Sequence, residues 1–306
     1  MINDAHCHFF SPQFFGALAR QQLAMRAAPS AMVAASAAEI CRDLQWDDPV
    51  AADTLADRWI AELDRHGVHR TALMASVPGD EHSVGEAVAR HPSRFVGFFM
   101  LDPSAADAPE RARRALDELR LRGICLFPAM HHVALTDQRV RRIVELAAER
   151  PGVIVFVHCG VLTVGVRRKL GLPSPFDLRL GNPTEVANLA LAFPQVPFII
   201  PHFGAGLLRE ALMAADTCTN IHLDTSSSNS WIRYTPGLTL DAVFKTTLAV
   251  VGPSRLLFGS DSSFFPRGWQ KGIYDTQKQI VEHAGVSAAD ASLIFSGNFD
   301  RLFETR

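Results

Sequence analysis

Eight short runs of apolar, β-branched or aromatic residues recur along the chain, at 2–8, 70–76, 95–101, 123–128, 153–158, 197–202, 221–225 and 256–261. Between most of them the period changes. Leu55, Trp59, Leu63 and His66 fall at near-helical spacing, and 109–122 and 136–150 interleave Arg and Glu with Leu, Ile, Val and Ala at i, i+3 and i+4. Near-continuous apolar strands separated by amphipathic helices imply a parallel sheet covered by helices. Eight such units in 306 residues predict an α/β protein, a (β/α)8 barrel occupying 1–306 as one domain. The competing pattern, a doubly wound open sheet, would place a GxGxxG after its first strand, and none is there.

Two connections, 9–52 and 161–183, far exceed the usual loop of about 4–6 residues. Both leave the C-terminal end of a strand, where barrel active sites are assembled, so both are expected to cover the mouth. The first is expected to carry helices over 17–25 and 35–44. The second, with Gly165, Gly171, Pro173, Pro175 and Gly181, reads as an irregular loop.

Composition narrows the class. With 30 basic and 32 acidic residues the formal charge is −2, which gives no global attraction to nucleic acid or to an anionic membrane. An anionic substrate must then be caught by a local cluster. Five scattered cysteines without a CxxC pair argue against a disulfide framework and for a reducing compartment. Asp4, His6 and His8 interrupt any apolar signal-peptide core. No uncharged apolar run approaches the roughly 20 residues that cross a bilayer. The nearest, 24–38, is short and contains Arg26 and Pro29. The expectation is a soluble cytoplasmic protein with a small-molecule substrate, without nucleic-acid or membrane partners, and with a homodimer left open.

The chemistry begins at Asp4-Ala5-His6-Cys7-His8. Strict alternation on a strand puts Asp4, His6 and His8 on one face and Ala5 and Cys7 on the other, with Cys7 packing toward the helices. Two imidazoles two residues apart at a strand end can converge on one cation. A lone HxH is also compatible with two ordinary histidines. What shifts the balance is that His158, His202 and Asp261 end the fifth, sixth and eighth apolar runs, where each strand reaches the C-terminal rim. Four strands ending in such groups point to metal binding with acid–base chemistry.

The segments DAHCHFF, VFVHCG, IIPHFGAG, FGSDSSFFP and the closing SGNFDRLF, in this order and spacing, resemble the amidohydrolase superfamily. The similar branch contains aminocarboxymuconate-semialdehyde decarboxylase, resorcylate decarboxylases and related hydrolases and hydratases, all built on the TIM barrel. The resemblance implies that His6, His8, His158 and Asp261 ligate one divalent metal ion, Zn2+ by default with Mn2+ as the alternative. His202 would stand beside the metal-bound water or substrate as a proton-transfer group, with Asp261 also able to take a proton. Binuclear members carry a bridging Lys or Glu on strand 3 or 4. Here those strands end in Met100-Leu101-Asp102 and Leu126-Phe127-Pro128, so one metal is expected.

Two activities follow from that resemblance. The first is a hydrolase acting on a lactone, ester or amide through metal-activated water; the alternative is a non-oxidative decarboxylase of an aromatic or unsaturated acid. For the substrate, Arg267 beside aromatic residues suits a planar carboxylate, although it could equally brace its loop. Phe9, Phe10, Phe264 and Trp269 are candidates for an apolar wall, with a core role open for half of them. Arg167, Arg168, Lys169 and Arg179 are candidates for an anion or for a solvated turn. Asp224 and Ser226 are candidates for hydrogen bonds to substrate, and His131 and His132 read as loop histidines.

Overall fold

A computed structural model describes residues 1–25 and 35–303. Most of the alanine-rich stretch 24–38 therefore lies outside the described residues. Eight parallel strands run β1 (Ile2–Phe9), β2 (Val68–Ala75), β3 (Phe95–Met100), β4 (Gly123–Leu126), β5 (Ile154–Val157), β6 (Phe198–Ile200), β7 (Ile221–Asp224) and β8 (Leu256–Leu257), each paired with its sequence neighbour. Backbone bonds from Ala5 to Phe258, Asp261 to His6 and His8 to Ser262, at 2.7–2.9 Å, bring the eighth strand's continuation back to the first. This is a (β/α)8 barrel, as the pattern predicts.

The helices between strands form the outer ring. Among them are α3 (Ala52–Arg65), α4 (Glu81–Arg90), α5 (Ala108–Asp117), α7 (Gln138–Ala148), α9 (Pro183–Ala192), α10 (Leu208–Thr217), α11 (Leu240–Val251) and α12 (Lys271–His283), after α1 (Pro12–Met25) and α2 (Ala37–Leu44) in the first insertion. Alternation splits the apolar residues into two layers. Ala5, Met74, Phe98, Phe156 and Ile199 fill the inside, while Cys7, Phe9, Leu73, Phe99 and Val155 pack against the helices.

The two long connections make one cap. α1 starts at Pro12, earlier than expected, because the Ser11 hydroxyl accepts from the N–H groups of Gln13 and Phe14. α2 has a capping box between Ser36 and Glu39. The second connection is more ordered than the irregular loop its glycines and prolines suggest. It contains α8 (Gly165–Lys169) and a 3-10 turn at Leu178–Leu180. Val166 and Leu172 pack with Phe14, Phe15, Leu18, Ile40 and Leu44, and Gln22 donates to the Leu170 carbonyl at 3.0 Å. Apolar contact between the insertions supplies what the local turn signals hide.

Candidate metal centre

The strand ladders stop before the polar residues that end the runs. β5 stops at Val157, β6 at Ile200 and β8 at Leu257. His158, His202 and Asp261 therefore stand on the rim just beyond them, and His202 and Asp261 have φ of +55° and +59°. Non-glycine residues seldom adopt that region, and such strain collects at functional sites. Gly259 lies between the end of β8 and Asp261. A Cβ there would sit 2.8 Å from Ser226 Cβ and 2.9 Å from His6 Cβ, so only glycine lets β1, β7 and β8 converge.

The parity expected for β1 is corrected. Asp4 pairs with Thr71 but Cys7 with Leu73, so one extra residue is inserted in β1. The bulge leaves Ala5 and His6 both inward and sends Asp4 outward with Cys7. There Asp4 accepts from the Trp269 indole N–H at 2.7 Å and the Ser260 N–H at 3.0 Å. Burial raises the Asp4 pKa despite these bonds. It is a structural carboxylate.

Three inward histidines present the same nitrogen. His6 Nδ1 lies 2.8 Å from the buried Asp224 carboxylate, which can only accept. His8 Nδ1 lies 2.7 Å from Ser76 Oγ, whose single proton goes to the Met74 carbonyl at 3.0 Å. His202 Nδ1 lies 3.2 Å from the Ser226 carbonyl and 2.8 Å from its hydroxyl. Each Nδ1 must therefore carry the proton, and each Nε2 is left with a lone pair. Partners behind a histidine that fix its tautomer are how proteins prepare imidazole ligands.

The donor set fits a cation. His8 Nε2 and His6 Nε2 lie 3.1 and 3.8 Å from Asp261 Oδ1. Two bare lone pairs and an anionic oxygen that close repel one another unless positive charge lies among them. Donors about 2.1 Å from one tetrahedral ion stand about 3.4 Å apart, between the two observed values. His158 is buried with no partner for Nδ1, and its ring lies 5.4 Å from that of His202. An unpaired buried nitrogen beside this cluster suits a further ligand. His6, His202 and Asp224 also cluster closely. Asp224, however, has its lone pairs committed to protein donors, so the His6–His8–Asp261 group is the better cation site.

Burial opposes ionisation of Asp261, but the His8, His6 and His202 imidazoles beside it outweigh that and hold the carboxyl well below its usual range. Burial lowers His8 and His202, and with His202 and His6 as neighbours it pushes His158 far down. Burial also lowers His6, but Asp224 reverses the sign and the net shift is upward.

These groups face a cavity of about 620 Å³. Its wall includes His6, His8, His158, His202 and Asp261, together with Phe10, Phe264 and Arg267. Arg267 lies 4.4 Å above the Phe264 ring and donates to Ser263 Oγ at 2.7 Å, so it both lines the cavity and braces its loop. Trp269 is corrected: it is 3% exposed, off the cavity wall and packed against Phe258 and Tyr274. With its N–H bonded to Asp4, the indole gains more from the core than from the mouth. Phe9 is likewise core. Asp224 and Ser226 are fully buried behind the histidines instead of facing substrate.

Of the basic loop, Arg168 and Lys169 reach the cavity. Arg167 instead bonds the Pro173 carbonyl, and Arg179 bonds Asp177. His131 and His132 are not on the wall. Sequence reasoning missed Trp46, which stacks on Phe264 at 3.8 Å, and Arg233 after β7. Only the length of the first insertion hinted at Trp46. Among the described residues, Arg168, Lys169, Arg233 and Arg267 face this cavity with Asp261 as its one lining carboxylate.

A family model described as Amidohydrolase matches residues 4–305. Among solved structures, 5-carboxyvanillate decarboxylase from Sphingomonas paucimobilis is similar at 17% identity and TM-score 0.65, covering 100% of this chain and 99% of that one. A 5-carboxyvanillate decarboxylase from Novosphingobium aromaticivorans, complexed with manganese and 4-hydroxy-3-methoxy-5-nitrobenzoic acid, is similar at 13% identity and TM-score 0.65, covering 100% and 96%. A probable 2-pyrone-4,6-dicarboxylic acid hydrolase from Acinetobacter baumannii with citric acid bound is similar at 14% identity and TM-score 0.58, covering 99% of each. A sequence search of curated proteins found no match.

Proposed function

The chain belongs to the amidohydrolase family, and within it we propose a metal-dependent hydrolase of a small, planar, carboxylate-bearing lactone, ester or amide. His6, His8, His158 and Asp261 are the proposed ligands of one divalent ion, zinc or manganese. That ion would supply Lewis-acid polarisation of a substrate oxygen and lower the pKa of a water.

One observation carries the choice of hydrolysis. His202 holds its proton on Nδ1 against the Ser226 carbonyl, so the nitrogen facing the site is a proton acceptor. Hydrolysis begins by removing a proton from water, and His202 Nε2 is the proposed acceptor. The water oxygen bonds the carbonyl carbon, the acyl bond to oxygen or nitrogen breaks, and His202 returns the proton to the leaving atom. Four cations and aromatic rings on the cavity wall support an anionic planar substrate, with Arg267 matched to its carboxylate and Phe10 to its ring.

The second reading is non-oxidative decarboxylation. The aromatic wall favours it, and two structural neighbours are 5-carboxyvanillate decarboxylases. That reaction ends by delivering a proton to carbon, which His202 could do only after first acquiring one. Lactones and aromatic acids incubated with metal-loaded protein in 18O-water separate the two. Label in the product without CO2 supports hydrolysis; stoichiometric CO2 without label would replace it by decarboxylation.

A further inference from the structure

Asp224 ends β7 fully buried and off the cavity wall. Its two oxygens serve different partners. Oδ2 accepts from His6 Nδ1 at 2.8 Å. Oδ1 accepts from the backbone N–H groups of Ser226 at 2.7 Å and His202 at 3.3 Å, and from the Ser226 hydroxyl. Having given its proton to Asp224, that hydroxyl accepts from His202 Nδ1 at 2.8 Å and lies 3.0 Å from His6 Nδ1, whose shorter contact is with Asp224. His202 has φ +55°, Phe203 +53° and Ala205 +44°. L residues seldom adopt such angles, so this turn needs an outside brace, and the bond from His202 N–H to Asp224 is one.

We propose that Asp224 is a positioning residue that sets both halves of the site at once. Through Oδ2 it turns the His6 lone pair toward the metal. Through Oδ1, Ser226 and the His202 backbone it turns the His202 lone pair beside it. The inference rests on the reading that His6 and His8 hold the ion.

Because the two oxygens have separate duties, two substitutions should separate the halves. In Asp224→Asn the amide oxygen belongs on the side that meets three donors, which leaves the NH2 facing His6 Nδ1. Two donors cannot share that contact, which leaves a His6 Nδ1 proton only the Ser226 hydroxyl at 3.0 Å and favours its move to Nε2, where the ligating lone pair is lost. Zinc affinity, measured by chelator competition, should fall about 10–100-fold. The 15N-histidine NMR spectrum should show His6 as the Nε2–H tautomer with His202 still Nδ1–H. In Ser226→Ala zinc affinity should be unchanged and His6 should stay Nδ1–H against Asp224, while the His202 resonances shift.

Wild-type zinc affinity in Asp224→Asn with His6 still Nδ1–H would overturn the proposal. Should Asp224→Asn fail to fold, the metal-free wild-type spectrum at mildly alkaline pH decides: both rings must be Nδ1–H, and Nε2–H on either one overturns the assignment. Failure of wild-type protein to bind zinc would instead strike the metal reading, leaving that spectrum as the separate test of Asp224.

Discussion

β7 carries two buried polar residues two positions apart, His222 and Asp224, and the ends of the barrel they belong to use polarity differently. Near the base, side chains bond the backbone. Asn220 Nδ2 reaches the carbonyls of Ala190, Phe193 and Val196, Arg255 those of Ala215 and Cys218, and Asn298 those of Pro253 and Leu256. These contacts satisfy loop carbonyls that would otherwise be left without donors. At the mouth, side chains also bond one another, and what remains is a set of unspent lone pairs aimed into a cavity. The base spends its donors on backbone carbonyls; the mouth leaves lone pairs facing a cavity. That difference is what a stability end and an active end of a barrel look like.

The largest effect that would sharpen this contrast is at the mouth. His202→Asn should leave the metal bound and reduce turnover about 10²–10⁴-fold. Loss of the metal instead would make His202 a ligand. At the base, His222 has no partner for Nδ1, and burial, with Arg301 and Arg255 nearby, lowers its pKa to about 4. The unfolded chain binds this proton below about pH 6.5 while the folded chain resists until about 4. Its contribution to stability is therefore complete above 6.5 and lost as pH falls through that window, up to about 3 kcal/mol. The unfolding free energy from denaturant melts should fall with pH across this range for the wild type and less so for His222→Gln; parallel pH dependences would remove His222 as the cause. Smallest in effect, Asn298→Ala should cost about 1–3 kcal/mol by orphaning two carbonyls, without changing metal affinity.

The barrel was legible because each strand is a nearly unbroken apolar run and each intervening segment is amphipathic. That His6, His8, His158, His202 and Asp261 line one cavity was legible because each interrupts such a run at its C-terminal end. The bulge in β1 was not. Ala5 fits either face, so alternation alone placed Asp4 beside the histidines, and only the register against β2 moves it outward. Trp269 was misread because sequence proximity to Asp261 carries no direction, and Gly268 at φ +66° precedes an indole that turns into the core. Asp224 was noticed but given the wrong partner. Sequence spacing says that it shares a face with Ser226, not that His6, 218 positions away, fills the space between them and the cavity.

The most direct test is metal stoichiometry on purified protein, by elemental analysis of wild type and of the His6→Ala, His8→Ala double variant. About one zinc or manganese ion per wild-type chain and none in the variant is the expected result. A variant that keeps its full complement of metal would contradict the site at its centre.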